Sequence, residues 1–444
     1  MTTDLNGMRA VVIGAARAGR GAVQLLAARG ARVRVLERDP NARADPQWPA
    51  TVELRAGADT DDPLDGIDLV VPSPGVPRAH PVLQRATARA IPVWSEIELA
   101  ARFLRCPIVA ITGTNGKSTT TVLLGNMLTA DGRRVFVGGN LGTPLSDALS
   151  SSTPWDAAVA EVSSFQLEWV PSFRPAVAVL LNLTPDHQDR YPNPADYGAA
   201  KLNVFVHQQR DDVAVLNRDD PWVWAQRYAI RARVRSFGAE PVADGSYVDG
   251  DDAVVRAAGA TQRYAFAESP LRGAHNRENL LAAITAAAAF GVAPDAIRAG
   301  MRQTSGLPHR LEFVRERAGV RWYDDSKATN VGAVEKSIDS FPGGIVLLLG
   351  GYDKGGDFTA LRARIAARVA HVVCFGRAGA QIAEQLGPGA GAAPVRDLAA
   401  AVQSAAGLAR AGQVVVLAPG CASFDEFRDY HERGARFRAL VEAL

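Results

Sequence analysis

Cysteine is scarce. The 444 residues hold three, Cys106, Cys374 and Cys421, too far apart for a disulfide framework or a Cys-based metal site. The seven histidines show no metal-binding spacing either. A reducing, cytoplasmic setting is therefore expected. Charge of one sign is lacking too: the formal net charge is +2 with both signs interspersed, which gives no reason to invoke nucleic acid. No segment is long and apolar enough to span a bilayer, so no membrane insertion is expected. The start has Asp4 before a short apolar run, with neither a basic region nor a cleavage site, so no secretory signal is expected. What the chain does have is 47% apolar residues, enough for buried sheets, and a length that suggests about three domains.

The chain is organised around Ile108-Val-Ala-Ile-Thr112, Gly113-Thr-Asn-Gly-Lys-Ser118 and the helical stretch from Thr119 to Leu128. A β-branched apolar run, a Gly-rich turn and a helical period make a strand, a loop and a helix N-terminus, a geometry that cradles phosphate. Lys117 adds a point charge and Ser118 can reach a bound Mg²⁺. Two residues separate Gly113 from Gly116 where the common P-loop has four, so this is a variant.

Before that stretch the pattern alternates strand and helix. Met8 to Ile13 reads as a strand, Gly14-Ala-Ala-Arg-Ala-Gly19 as a turn, Gly21 to Arg29 as a helix, and Ala31 to Leu36 as a strand ending at Glu37. The turn is G-x-A-x-x-G, with Glu37 where a ribose-binding acid would stand; a nucleotide site and a structural turn both remain open. Asp68 to Val71 is a further strand, and the rigid loop Pro72-Ser-Pro-Gly-Val-Pro77 follows it as either a ligand-side loop or a stiff connector.

After the phosphate loop, Ala157 to Ala160 leads to Glu161, an acid at a strand end where a Mg²⁺ ligand is expected. Val177 to Leu181 runs into a loop carrying Asp186, His187 and Asp189, which are metal-compatible or acid–base groups. Lys201 follows small residues on a helix, by default a surface lysine. Arg231 to Phe266 reads as short strands and turns. Gly273 to Asn279 opens an Ala-rich helix from Leu280 to Phe290, with Asn276 and Asn279 able to face a ligand or to cap. Strands near Leu311 to Val314 and Val320 to Tyr323 precede Asp324-Asp-Ser-Lys-Ala-Thr-Asn330, a second chemical cluster. Lys354 sits in a Gly-rich loop after the strand Gly344 to Leu349. Ser423-Phe-Asp-Glu426 has the spacing of a capping box, and a helix N-terminus there would also suit a carboxylate.

Together these pieces resemble the Mur ligase family. The resemblance rests on Thr112-Gly-Thr-Asn-Gly-Lys-Ser-Thr119, Glu161-Val-Ser-Ser-Phe-Gln-Leu-Glu168, Asp186-His-Gln-Asp-Arg-Tyr191, Gly306-Leu-Pro-His-Arg310, Asp325-Ser-Lys-Ala-Thr-Asn330 and Cys421-Ala-Ser-Phe-Asp425, in the family's order, with Ser73-Pro-Gly-Val76 extending it to the first domain. It implies an α/β chain of three domains: an N-terminal Rossmann-like UDP-substrate domain over 1–95, a central P-loop-type ATP- and Mg²⁺-binding domain over 96–305, and a C-terminal Rossmann-like glutamate-binding domain with a parallel sheet over 306–444. The implied reaction is ATP-dependent addition of glutamate, with the D form favoured, to UDP-N-acetylmuramoyl-L-alanine through an acyl phosphate, in the cytoplasm, by a monomer.

The resemblance also assigns residues. Gly113, Thr114, Asn115, Gly116, Lys117, Ser118 and Thr119, with Asn276, Asn279, Arg310, Asp325 and Lys327, match groups around ATP. Ser118 and Glu161 match a first Mg²⁺ position; His187 and a carbamylated Lys201 match a second. Lys117, His187 and Lys201 are the catalytic candidates. Gly14, Arg17, Ala18, Glu37, Arg38, Ser73, Gly75, Asn140, Ser163 and Gln166 match the UDP-substrate site, and Thr329, Lys354, Ser423, Phe424 and Tyr430 the glutamate pocket. Tyr430 stands where a Phe is often found. Competing readings are the same ligation with L-glutamate, a P-loop nucleotide-hydrolysing regulatory protein, and an NAD(P)-dependent oxidoreductase, which would leave the phosphate loop and Glu161 idle.

Overall fold

A computed structural model describes residues 4–57, 64–188, 190–257, 259–306 and 308–444. Asp189 and Leu307, which fall in the motifs above, lie outside the described residues. The chain divides into two compact units, one of residues 1–183, 195–269 and 278–304, the other of 184–194, 270–277 and 305–444.

The first unit carries two sheets. The smaller is β1 (Arg9–Ile13), β2 (Arg32–Glu37), β3 (Glu53–Ala56) and β4 (Leu69–Pro72), all parallel in the order β3-β2-β1-β4. The polar segment Glu53–Ala56 gives no strand signal in sequence; it forms one as the edge partner of β2, where half its residues meet water. The helix after β1 runs Arg17–Ala28, starting earlier than Gly21 because the Gly14 turn already releases the chain into helix at Arg17.

The larger sheet holds β5 (Ile108–Thr112), β6 (Val135–Gly139), β7 (Ala157–Glu161), β8 (Val177–Leu180), β9 (Val213–Asn217), β10 (Arg233–Gly238), β11 (Gly245–Asp249), β12 (Asp252–Ala257) and β13 (Ala260–Ala265), in the order β13-β12-β11-β10-β9-β8-β5-β7-β6. Strands β6 to β11 pair in parallel, and β12 and β13 add antiparallel. Strand β5 is interior and wholly buried, which is why Ile-Val-Ala-Ile is apolar on both faces. Ile111 registers with Glu161, so the acid ends level with the strand that feeds the phosphate loop. Behind the loop the helix Lys117–Ala130 packs on Pro294–Gln303 so closely that a Cβ at Gly300 would lie 2.6 Å from the Met127 backbone.

The second unit is built on β14 (Glu312–Arg317), β15 (Val320–Asp324), β16 (Ile345–Gly350), β17 (Val369–Phe375), β18 (Ala393–Pro394) and β19 (Val414–Gly420), in the order β14-β15-β19-β16-β17-β18. Only β14 is antiparallel to its neighbour. The Ile-Val-Leu-Leu-Leu run of β16 is fully buried between β17 and β19, and apolar clusters cover both faces.

Candidate active site

In the first unit, the parallel strands deliver three loops to one edge of the larger sheet. Gly113 and Gly116 take φ of +147° and +86°, angles open to glycine, and Gly116 in the left-handed region starts the helix Lys117–Ala130. A Cβ at Gly113 would lie 2.9 Å from Leu181 Cβ; one at Gly116 would collide with Asn279 Oδ1. The loop is clamped by Asn182, whose Oδ1 accepts from Asn115 N–H at 2.8 Å while its Nδ2 donates to the Asn115 carbonyl at 3.1 Å. Sequence reasoning gave Asn182 no role. Its position directly after a buried strand in a P-loop domain was the available signal.

Two lysines converge here. Lys117 Nζ donates to the carbonyls of Gly113 and Thr114 at 2.9 and 2.8 Å, and Lys201 Nζ donates to the same Gly113 carbonyl at 2.9 Å. Lys201 is 1% exposed, its ammonium 4.3 Å from the Tyr197 ring centroid, so the default surface-lysine reading is corrected: small residues on its helix let it pack inward. Ser118 and Thr119 are buried at the helix start. Glu161 is buried and accepts from Asn140 Nδ2 at 2.7 Å. A buried hydroxyl and a buried carboxylate beside a phosphate loop form an oxygen donor set that fits Mg²⁺.

The same unit holds an open cavity of about 640 Å³. Gly14, Arg17 and Ala18 of the first turn, Glu37 and Arg38 at the end of β2, and Ser73 and Gly75 of the Pro-rich loop line it with Asn140 and Gln166. Arg17 Nη1 reaches the Gly142 carbonyl at 2.8 Å. Glu37 braces the turn: its carboxylate accepts from Ala15 N–H at 2.7 Å and Asp39 N–H at 3.2 Å. Ser163 is not in the lining. It caps the helix Ser164–Leu167, accepting from Gln166 N–H at 3.2 Å while Gln166 Oε1 accepts from Ser163 N–H at 3.0 Å, a reciprocal capping box.

In the second unit, Lys354 Nζ lies 2.8 Å from Asp186 Oδ1 and Asn330 Nδ2 donates to Oδ2 at 2.9 Å. Burial pushes the Asp186 carboxyl up, but the Lys354 ammonium, the adjacent His187 and the two hydrogen bonds outweigh it and hold it at about 2. His187 takes φ of +55°, with its N–H on Asp186 Oδ1. Burial drives Asp325 up to about 6 against the Ser337 hydroxyl and the Arg310 charge. His275 is pushed down to about 4 by burial, with Lys336 and Arg310 adding to the effect.

The helix expected from Leu280 runs Ala274–Ala289, so Asn276 and Asn279 lie inside it and neither is its cap. Asn276 Nδ2 donates to the Arg272 carbonyl at 2.8 Å, whereas Asn279 is buried against Gly116 in the first unit. The capping box expected at Ser423–Glu426 is also corrected. Ser423 O accepts from Phe427 N–H at 2.8 Å in a turn, Glu426 accepts from Leu398 N–H at 3.3 Å, and the helix begins at Tyr430 with Asp429 as its cap. Ser423 is buried and Phe424 is 69% exposed beside it. Thr329 N–H closes on the Lys327 carbonyl at 2.8 Å, and the Lys327 ammonium lies over the Tyr430 ring.

Comparison with known proteins bears on this arrangement. Residues 8–95 match the model of the Mur ligase MurD-like N-terminal domain, 111–287 the Mur ligase middle domain, and 309–421 the Mur ligase glutamate ligase domain. The chain is 46% identical to the UDP-N-acetylmuramoylalanine--D-glutamate ligase of Anaeromyxobacter dehalogenans, covering 99% of this chain and 98% of that one. It is 44% identical to the ligase of the same name from Geobacter metallireducens, again over 99% and 98%. Among solved structures, MurF of Acinetobacter baumannii matches with a TM-score of 0.64 at 18% identity over 99% of this chain and 93% of its own. The UDP-N-acetylmuramate-alanine ligase of Thermotoga maritima matches at 0.61 and 15%, over 98% and 99%. At those identities the two structures speak to fold alone.

Proposed function

The chain belongs to the Mur ligase family, and from that premise we propose that it joins D-glutamate to UDP-N-acetylmuramoyl-L-alanine with ATP as the energy source, supplying a peptidoglycan precursor in the cytoplasm. The observation that carries this reading is the match, over nearly the full length of both chains, to ligases of that name. No helix among the described residues is long and apolar enough to cross a membrane, which is compatible with a nucleotide substrate met in water.

The proposed roles are those the family resemblance implies, and the geometry within each unit supports them. ATP supplies the phosphoryl group that turns the substrate carboxylate into an acyl phosphate; the glutamate amine then displaces phosphate. Positioning and charge neutralisation carry such a transfer. Lys117, curled over the loop it belongs to, would swing from the Gly113 and Thr114 carbonyls onto phosphate oxygens. The backbone N–H groups from Gly113 to Thr119 and the dipole of the helix Lys117–Ala130 favour the anion. Ser118 and Glu161 would hold a Mg²⁺ ion, which supplies charge neutralisation at the phosphates, and a carbamylated Lys201 would offer oxygen to a second. The 640 Å³ cavity is our candidate for the UDP-linked substrate. Thr329, Lys354, Ser423 and Tyr430 are proposed for glutamate, whose carboxylates suit the Lys354 ammonium. The limits 1–95, 96–305 and 306–444 remain our division into substrate, ATP and glutamate domains, in a monomer.

Phosphate release from purified protein tests the reading, with ATP, Mg²⁺ and UDP-N-acetylmuramoyl-L-alanine present, D- and L-glutamate in parallel, and product mass checked. Release that requires the UDP substrate and D-glutamate is expected. Release with L-glutamate alone would move the specificity, and release independent of both would leave a nucleotide hydrolase.

A further inference from the structure

In the first unit Glu96 is almost wholly buried where three segments meet, and the roles proposed above leave it unused. It opens the helix Glu96–Ala101, which is wedged between two cores. Leu99 belongs to the apolar cluster of Val12, Val33 and Leu69 on the smaller sheet; Ile97 and Ala100 belong to that of Ala110, Ala158 and Ala178 on the larger. Glu96 Oε1 accepts from the N–H of Ser146, itself buried, at 2.6 Å. Ser146 ends the loop that follows β6, and that loop is pinned at two further places. Asn140 N–H and Nδ2 donate to the carbonyl and the carboxylate of Glu161 at 2.8 and 2.7 Å, and the Gly142 carbonyl accepts from Arg17 Nη1 at 2.8 Å. Asn140, Gly142 and Pro144 of the loop line the 640 Å³ cavity together with Arg17, whereas Glu96 is no part of that lining. The helix Arg17–Ala28 presses on the same loop: a Cβ at Gly21 would lie 2.3 Å from Ser146 Oγ and 3.2 Å from Pro144 Cβ.

We propose that Glu96 is a positioning residue for the UDP-linked substrate, its carboxyl oxygen fixing the Asn140–Ser146 loop against the helix Arg17–Ala28 and so setting the width of the cavity. The inference rests on the ligase reading and deepens it. A buried N–H that loses its acceptor cannot exchange it for water in place, so the loop has to move to be served. The acceptor rides on a helix held by both cores, which makes the tie stiff. The bonds to Glu161 hold the other end of the loop, so a displacement falls on Gly142 and Pro144 rather than on the phosphate loop. Contacts to the substrate are then weakened alike in the ground state and the transition state, and the signature is a change in KM without one in kcat.

Steady-state kinetics on the full chain test this, with the UDP substrate varied at saturating ATP and glutamate. Glu96→Leu is expected to raise the KM for UDP-N-acetylmuramoyl-L-alanine about tenfold, with kcat and the KM for ATP within about twofold of wild type. Glu96→Gln keeps an acceptor for the Ser146 N–H and is expected to hold that KM within about twofold. A merely structural loss of active protein would lower kcat and leave KM alone; that result in Glu96→Leu would overturn the proposal, as would a Gln variant impaired as much as Leu. Gly21→Ala reaches the loop from the other helix and remains decisive where Glu96→Leu does not fold. Its added Cβ meets Ser146 Oγ and Pro144, so the KM for the UDP substrate is expected to rise several-fold at unchanged kcat, and an unchanged KM would overturn the proposal. An inactive wild type would instead remove the ligase reading, which keeps the two failures distinct.

Discussion

Lys354 and Asp186 form an ion pair at 2.8 Å in the second unit, with both side chains largely withdrawn from solvent. Lys354→Met leaves a buried carboxylate without its counter-charge, a change expected to cost about 3 kcal/mol of stability at neutral pH. The pH dependence identifies the cause. In the wild type the Asp186 carboxyl is held at about 2, below its ordinary 3.8, so its contribution is complete above that ordinary value and is lost as pH falls from about 4 to about 2. In the variant, burial acts without the ammonium and raises the carboxyl, which then protonates readily. The stability gap between the two proteins should therefore shrink between about pH 7 and about pH 3.5. Urea unfolding at both values checks this, and an unchanged gap would show that the loss does not arise from the Asp186 charge.

Gly116→Ala is expected to lower kcat/KM for ATP by at least about a hundredfold, because its Cβ would collide with Asn279 Oδ1 and displace the loop from the phosphates. The left-handed angle alone would cost only about 1 kcal/mol. Gly132→Ala separates the two effects. Gly132 has φ of +81° with nothing within 4 Å of the added atom, so it should lose stability by that amount and keep its activity. Steady-state kinetics beside thermal melts on the two variants decide whether strain or collision dominates.

The strand, loop and helix around Gly113 are legible because strand, glycine pair and helix are local signals, and the parallel sheet order brings Glu161 level with the loop. The partners are not. Lys201 reads as a surface residue until the fold buries it on the Gly113 carbonyl. Asn182 carries no spacing that announces a clamp on Asn115, a residue remote in sequence. Ser423–Glu426 failed for a related reason: Ser-x-x-Glu is also satisfied by a turn whose acid is taken by a distant backbone N–H, here that of Leu398. Gln166, on the other hand, both lines the cavity and completes a reciprocal capping box with Ser163, two roles that the spacing Ser-x-x-Gln alone does not separate. The edge strand Glu53–Ala56 exists through its pairing with β2 rather than through its own polar sequence.

Glu96 predicts a second pH effect in the first unit. It is 2% exposed; Oε1 accepts from Ser146 N–H at 2.6 Å, and Oε2 is buried without a hydrogen-bond partner. Burial raises the carboxyl to about 7 against the hydrogen bonds from Ser146, with Asp147 adding to the rise. The folded protein thus binds this proton more tightly than the unfolded chain. The resulting stability is full below about pH 4.5 and is lost as pH rises to about 7, by at most about 3 kcal/mol. Glu96→Gln keeps an acceptor for Ser146 and removes the titration. Its gain over wild type should be largest near pH 8 and vanish near about pH 5 in denaturant melts; equal stabilities at both values would place the carboxylate in contact with water.

Lys201 sets the sharpest test of the metal chemistry. Its amine is almost wholly buried beside the Gly113 carbonyl, where a fixed positive charge is costly and the neighbouring phosphate loop is already served by Lys117. After losing a proton, the amine can take up CO₂ to give a carbamate and a second proton. The product keeps one N–H for the Gly113 carbonyl and gains two oxygens suited to Mg²⁺. Activity in CO₂-free buffer is therefore expected to fall several-fold and to return on adding bicarbonate, with about 44 Da added to the peptide containing Lys201 under mild ionisation. Lys201→Met should lose both the activity and the bicarbonate response. A wild type indifferent to bicarbonate, with no added mass, would mean that Lys201 acts as an ammonium donor. The second Mg²⁺ proposed above would then have to draw its oxygens from substrate and water, and the rate should become steeply dependent on Mg²⁺ concentration.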